Sequence, residues 1–405
     1  MAETLPRLRM DLDFGPSPLT DRPGLLIRDP LRYSDTTLII PPRLVECLQL
    51  FDGNSTDLDL REALVRITGD LQVGDLQRQL LSALSEAGFL EDDNYRRLKE
   101  EQQARFATLP VREAVHAGGA YPADKVELFT TLATWMDGLV SDAPADSLIG
   151  IAAPHVSPDG GVACYRAAYG ALRRELWNRV FVVLGTSHYG RPERFGLTRK
   201  PFATPLGTAE TDCALVERLA GAAGEGAVLE DYCHAVEHSI EFQVVFLQHI
   251  FGPGIRILPI LCGAFVKSIQ NGGLPEDDEN VRRFLGALGD LAAREGNRLF
   301  WVLGVDMAHV GRRYGDPFPA AAEEGHMVRV RELDHARIDC LVRGDADAFW
   351  AAVRENHDEL KWCGSSAFYT FLRAVPGAKG ELLNYKQWNI DRESVVTFGA
   401  LSFRN

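Results

Sequence analysis

The chain has 405 residues, 46% of them hydrophobic and 25% charged, and 43 basic against 57 acidic side chains give a formal net charge of −14. The length exceeds one average domain, the composition is that of a globular protein with a full core, and the acidic balance disfavours nucleic acid, which needs a basic face. No apolar run approaches the roughly 18 residues of a membrane span, and the N-terminal MAETLPRLRMDLDFG has no apolar signal-peptide core. Seven cysteines, with no CxxC pair, point to a reducing cytoplasm and mostly buried thiols.

In chain order, GLLIRDPLRYSDTTLIIP reads as two short strands around a polar turn. PRLVECLQLFDG has apolar residues at helical spacing, Pro42 near its start and Gly53 after its end. DLDLREALVRITG and VGDLQRQLLSALSEAGFL read as two more amphipathic helices, and the charged DDNYRRLKEEQQARFATLP as a linker helix. Residues 1–105 are therefore expected to form a small α+β module. It has no histidine, and its one cysteine, Cys47, lies at core spacing with Leu44 and Leu48. From 106 to 405 the pattern changes. SLIGIAA, RVFVVLG, IRILPILC and RLFWVLG alternate with helical stretches such as ADKVELFTTLATWMDGLV (123–140) and ENVRRFLGALGDLAAR. Continuously apolar strands belong to a sheet covered on both faces, so an α/β layered fold with a largely parallel sheet is expected. GELLNYKQWNI and SVVTFGALSF read as a closing antiparallel pair, and NGGLPEDDEN (271–280) as a polar, mobile loop.

Three apolar runs lead into a histidine: His155, His188 and His309. In open α/β sheets sites collect beyond the carboxyl ends of strands, and imidazoles gathered there suit iron, zinc or copper. Cys363 precedes the helical stretch SSAFYTFLRAV, a position that favours thiolate and metal binding, or equally a small buried hydrophobe. His234 to His238 match H-x-x-E-H, in which two histidines one helical turn apart bind zinc and the Glu acts as base. The irregular LEDYCHA before it argues against the uninterrupted helix that this chemistry needs. His238 is expected to face a pocket and His234 not. Glu241 follows His238 at i, i+3 and can share its helix face.

These segments together resemble the Memo family, also called AmmeMemoRadiSam system protein B, which is related to class III extradiol dioxygenases. HAGGAYPAD, IAAPHVSPDGG, VFVVLGTSHYG, VEHSIEFQVVFLQ, VDMAHVGRRYG and CGSSAFYTFL follow the family's motifs in order over residues 116–405. The resemblance implies a metal triad at His155, His188 and Cys363, with pocket residues Tyr121, His238, Glu241, Asp306 and His309. PHVSPDGG departs from the family's compact A-G-Y turn, SHY from its S-H-H, and the Ser pair after Cys363-Gly364 from residues that are often charged. The N-terminal module is similar to winged-helix-like peptide-recognition domains, in its hairpin, its DG turn and the closing L-x-x-x-G-F-L.

The expected chemistry is a mononuclear non-haem site, with Fe(II) first and copper or zinc as the other ions. It would act by dioxygenase-type redox chemistry on a small molecule or peptide. His309 or His238 would serve as base or acid with a tautomer fixed by Asp306 or Glu241, and Tyr121 would bond the substrate. The other readings are a non-catalytic peptide- or partner-binding scaffold and a zinc-dependent hydrolase. Partner or peptide recognition is expected at the N-terminal module, with a dimer-forming or interdomain cap as the alternative.

Overall fold

The computed structural model describes residues 2–137 and 148–405. It divides into two compact units, Met1–Leu109 and Pro110–Asn405.

The first unit opens with an antiparallel sheet in the order β1 (Asp13–Pro16), β2 (Leu25–Arg28), β3 (Thr37–Ile40). The expected hairpin is β2–β3. The additional strand, β1, is four residues alternating half-buried and exposed, too short a pattern to stand out. Pro42–Leu50, expected as an ordinary helix, is a 3₁₀ segment with Leu44, Cys47 and Leu48 buried. Spacing by threes through Leu44, Cys47 and Leu50 suits 3.0 residues per turn. Helix α1 (Asp57–Thr68) starts on a capping box between Thr56 and Asp59 and stops at Gly69, whose φ of 72° is left-handed. Helices α2 (Gly74–Glu86) and α3 (Asp93–Thr108) follow. The core gathers Ile27, Leu60, Leu64, Leu84, Phe89 and Leu90. The break between units falls at the end of α3 rather than at residue 105, because the helix is one hydrogen-bonded rod through Thr108.

The second unit begins with α4 (Lys125–Trp135), capped by Asp124. The rest of that expected helix, from 138 to 140, and Ser147 of the first expected strand lie outside the described residues. Four strands are mutually parallel: β4 (Leu148–Ala153), β5 (Val180–Thr186), β10 (Arg256–Cys262) and β11 (Leu299–Gly304). The short strands β6 (Phe195–Leu197), β7 (Phe202–Thr204), β8 (Gly207–Thr211) and β9 (Ala227–Leu229) extend one side. On the other side β12 (His309–Gly311) and β13 (Lys379–Asn389) both pair antiparallel with β14 (Ser394–Arg404), which returns beside β4. The main path of this eleven-stranded sheet is β12–β14–β4–β11–β5–β10–β6–β9.

Continuous apolar runs become central strands because both faces are covered. Along β5, Val180, Val182 and Leu184 enter one core while Phe181 and Val183 enter the other. Each such buried side chain contributes roughly 1.5–3 kcal/mol. One face carries α4, α5 (Pro158–Gly170) and α8 (Glu241–Phe251). The other carries α6 (Cys213–Ala223), α10 (Glu279–Glu295), α11 (His326–Arg343), α12 (Ala346–Arg354) and α13 (Ser365–Ala374). Two short helices, α7 (Cys233–Val236) and α9 (Val266–Asn271), complete the unit. The polar stretch 271–280 is bonded along its length rather than open. Asp277 accepts from the Leu274 amide at 2.8 Å, and Asp278 caps α10 while pairing with Lys267 at 2.6 Å. Among the described residues no helix is long and apolar enough to cross a membrane, and all seven cysteines are unpaired.

Candidate metal centre

Three parallel strands end in the same way. His155 stands two residues beyond β4, His188 two beyond β5 and Asp306 two beyond β11. The third equivalent position is therefore an aspartate and not His309, which lies five residues past β11, at the start of β12. The apolar run before His309 ends earlier than its hydropathy suggests, because Val305 to Ala308 are buried outside the strand.

Each imidazole is set by what its Nδ1 faces. His155 Nδ1 lies 2.9 Å from the Gly304 carbonyl oxygen, which can only accept, so Nδ1 carries a proton and Nε2 is the nitrogen turned toward the cluster. That Nε2 lies 3.3 Å from Cys363 Sγ and 3.7 Å from Asp306 Oδ2. The other Asp306 oxygen accepts from the His155 and Val156 amides at 2.9 and 3.2 Å, which pins the loop after β4. His188 Nδ1 lies 2.9 Å from Glu237 Oε2, and its amide donates to the same carboxylate. A carboxylate behind an imidazole fixes its tautomer and raises its basicity toward a metal. The His238 ring stacks on His188 at 5.1 Å and 9° and stands 5.1 Å from His155. One nitrogen from each of His155, His188 and His238 lies within 4.8 Å of the others.

Cys363 enters this cluster just ahead of α13. Its carbonyl accepts from Thr186 Oγ1 at 3.1 Å, and the Gly364 amide donates to the Asp306 carbonyl at 3.1 Å. No side chain fits at 364, since a Cβ there would lie 2.6 Å from Val305 Cβ and 2.7 Å from the Asp306 carbonyl oxygen. Burial raises the thiol, but the charges of His155 and His309 and hydrogen bonds from His155 and His188 outweigh it and bring Cys363 down to about 5. Burial pulls His155 down, yet the charges of Asp306 and Cys363 carry it up to about 9. Burial likewise opposes a Glu237-driven rise at His188. His238 goes the other way, lowered by burial and then by repulsion from His155 and His188. In metal-free protein, iodoacetamide labelling of Cys363 should rise with a midpoint near pH 5, as followed by peptide mass spectrometry; a midpoint near the ordinary thiol value of 9.0 contradicts the assignment.

The remaining expected residues divide. His309 directs Nδ1 at the Met307 and Lys361 carbonyls, 3.0 and 3.1 Å away, packs on Tyr314, and acts on Cys363 through its charge. Tyr121 and Glu241 serve otherwise than expected. The Tyr121 hydroxyl donates to Glu241, which is fully buried and forms an ion pair with Arg112. The carboxylate beside His238 is that of Glu237, 3.8 Å from Nδ1, rather than Glu241. The H-x-x-E-H match is not a continuous helix: α7 is a single turn, Glu237 is extended, and α8 begins only at Glu241. His234 is buried away from the cluster, its Nε2 3.0 Å from the Gly196 carbonyl. Sequence reasoning assigned no role to Arg112, whose guanidinium also donates to the His234 and Glu237 carbonyls at 2.8 and 2.6 Å and so fixes the segment carrying Glu237 and His238.

The fold and this pocket define an α/β protein with an imidazole–thiol cluster at the carboxyl edge of a parallel sheet. The model of the Memo family, described as Memo-like protein, matches residues 112–402, and the chain belongs to that family. A MEMO1 family protein of Aquifex aeolicus (strain VF5) is 25% identical over 382 residues, which cover 93% of this chain and 95% of the relative. A MEMO1 family protein of Thermococcus kodakarensis is 30% identical over 305 residues, which cover 73% of this chain but 99% of the relative. The Aquifex match therefore extends into the first unit, whereas the Thermococcus relative is nearly used up by a length close to that of the second. An uncharacterized protein from Escherichia coli K12 superimposes with a TM-score of 0.41 at 12% identity, over 63% of this chain and 99% of that one.

Proposed function

We propose that the protein is a metal-dependent oxidoreductase of the Memo family. Its mononuclear ion, Fe(II) in the first reading, would be held by His155, His188 and Cys363, with His238 beside them. The observation that supports this most is the convergence of two imidazoles, each with Nδ1 engaged by an oxygen, on one thiol. The donor set fits an ion: imidazole suits iron, copper and zinc, and thiolate adds a soft ligand. When bound, iron would supply redox chemistry with O₂ on an oxygen-bearing small molecule or peptide. His238, kept neutral by burial and by its imidazole neighbours, is the base. His309, with Nδ1 directed at two carbonyls, has Nε2 as the nitrogen that would exchange a proton with the substrate. Asp306 holds the loop that carries His155.

Copper is the second reading, favoured by Cys363 standing where a dioxygenase would use a carboxylate. Elemental analysis of anaerobically purified protein, followed by oxygen-uptake measurement, tests both. Stoichiometric iron with substrate-dependent uptake is expected. Stoichiometric copper would favour the second reading. Protein without stoichiometric metal would favour a binding scaffold, and zinc with oxygen-independent peptide cleavage a hydrolase.

For the first unit we propose partner or peptide recognition. It has no histidine, its cysteine is core, and β1 and β3 are sheet edges that an extended peptide can join. Deleting residues 1–109 should leave the remainder folded and able to take up metal, as judged by circular dichroism and metal titration. Loss of folding would mean that the unit completes the main core.

A further inference from the structure

Cys363 is delivered by a loop that makes no sense energetically on its own. Between α12 and α13, Asn356, His357, Asp358 and Lys361 all have φ between 53° and 56°, a left-handed conformation that Asn, His and Asp tolerate but that for Lys361 calls for an outside constraint. The constraint comes from α11. Asp334 and Arg337 lie one turn apart on that helix, and both are buried. Arg337 pairs with Asp358 at 2.7 Å, and the other Asp358 oxygen accepts the Trp362 amide at 3.0 Å. The Trp362 indole, 1% exposed, donates to Asp334 Oδ1 at 2.6 Å with the Arg337 guanidinium 5.4 Å from its ring. Asp334 also collects the Tyr385 hydroxyl at 2.7 Å and that of Thr397. Thr397 in turn accepts the Ala308 amide at 2.8 Å, next to His309. The same loop presents the Leu360 and Lys361 carbonyls to the His309 amide and Nδ1, at 2.9 and 3.1 Å. A single buried carboxylate is thus tied by one hydrogen bond to the residue before Cys363 and by a hydroxyl to the residue before His309.

We propose that Asp334 and Trp362 are positioning residues: their hydrogen bond holds the 355–363 loop so that the Cys363 sulfur meets His155 and His188. This rests on the reading of Cys363 as a metal ligand. An outer partner that orients a ligand typically changes metal affinity by about 10–100-fold when removed.

The experiment uses full-length protein with Co(II) as the probe metal. Trp362→Phe keeps an aromatic side chain but removes the indole N–H together with the fused pyrrole ring; Asp334→Asn is the partner change. Each should weaken Co(II) binding by about 10–100-fold and diminish the thiolate-to-cobalt charge-transfer band, with the far-ultraviolet circular dichroism unchanged. Together they should do no more than Asp334→Asn alone, because Trp362→Phe removes a connection that Asp334→Asn already breaks. In a Cys363→Ser background neither should lower Co(II) affinity further. An equal fall in that background, or no fall in the native one, overturns the proposal. If the native protein takes up no Co(II), the metal reading fails by itself, and the positioning is then read from Cys363. Its iodoacetamide labelling in metal-free protein, relative to exposed Cys213, should change several-fold in both variants; an unchanged ratio overturns it. Should Asp334→Asn fail to fold, Trp362→Phe carries each of these readouts alone.

Discussion

Changing His155 or His188 to alanine should remove stoichiometric metal, while His234→Ala should leave the metal content intact. The two groups differ in what their ring nitrogens face. His155 and His188 spend Nδ1 on a carbonyl and a carboxylate and turn Nε2 toward Cys363. His234 spends Nε2 on the Gly196 carbonyl, in a one-turn helix outside the cluster. Between these extremes lies Glu237. Glu237→Gln keeps the shape but removes the charge behind His188, and should weaken binding by about 10–100-fold without abolishing it. Elemental analysis and metal titration of the four variants check the order. Metal loss in His234→Ala equal to that in His155→Ala would mean that the H-x-x-E-H histidines act as a pair after all.

The parallel strands were legible because burial on both faces leaves an unbroken apolar run. The histidines after β4 and β5 were legible because the chain turns polar where those strands end. His309 misled for the same reason: Val305, Met307 and Ala308 are apolar and, with Asp306 between them, buried without being strand, so hydropathy alone could not say where β11 stops. Partners distant in sequence left no local mark. Glu237 lies 49 residues from His188, and Arg112 lies 129 from Glu241. Glu241 was read as the partner of His238 from i, i+3 spacing, but His238 precedes the first turn of α8, where helical spacing does not apply. The 3₁₀ segment at Pro42–Leu50 and the four-residue β1 fall below what periodicity can separate from helix or loop.

Glu241→Ala should be the most destabilising single change near the site, by about 3–5 kcal/mol, because it leaves a buried guanidinium without its counter-charge. Arg112 and Glu241 are both fully buried, and Glu241 also takes the Tyr121 hydroxyl and the His116 amide. Tyr121→Phe removes one of these donors while the others remain, so its effect should be smaller, about 1–3 kcal/mol. An isolated buried ion pair can often be replaced by apolar residues at little loss. Here Arg112→Met with Glu241→Leu should not restore stability, since the guanidinium also serves the carbonyls of Glu113, His234 and Glu237. The His234 and Glu237 carbonyls would be left buried and unpaired, and the segment bearing Glu237 and His238 would lose its anchor. The double variant should therefore lose metal affinity together with stability. Urea unfolding of the 110–405 fragment and metal titration of the same variants measure the two effects. A double variant as stable as the parent, with unchanged metal affinity, would show that Arg112 does no more than neutralise Glu241.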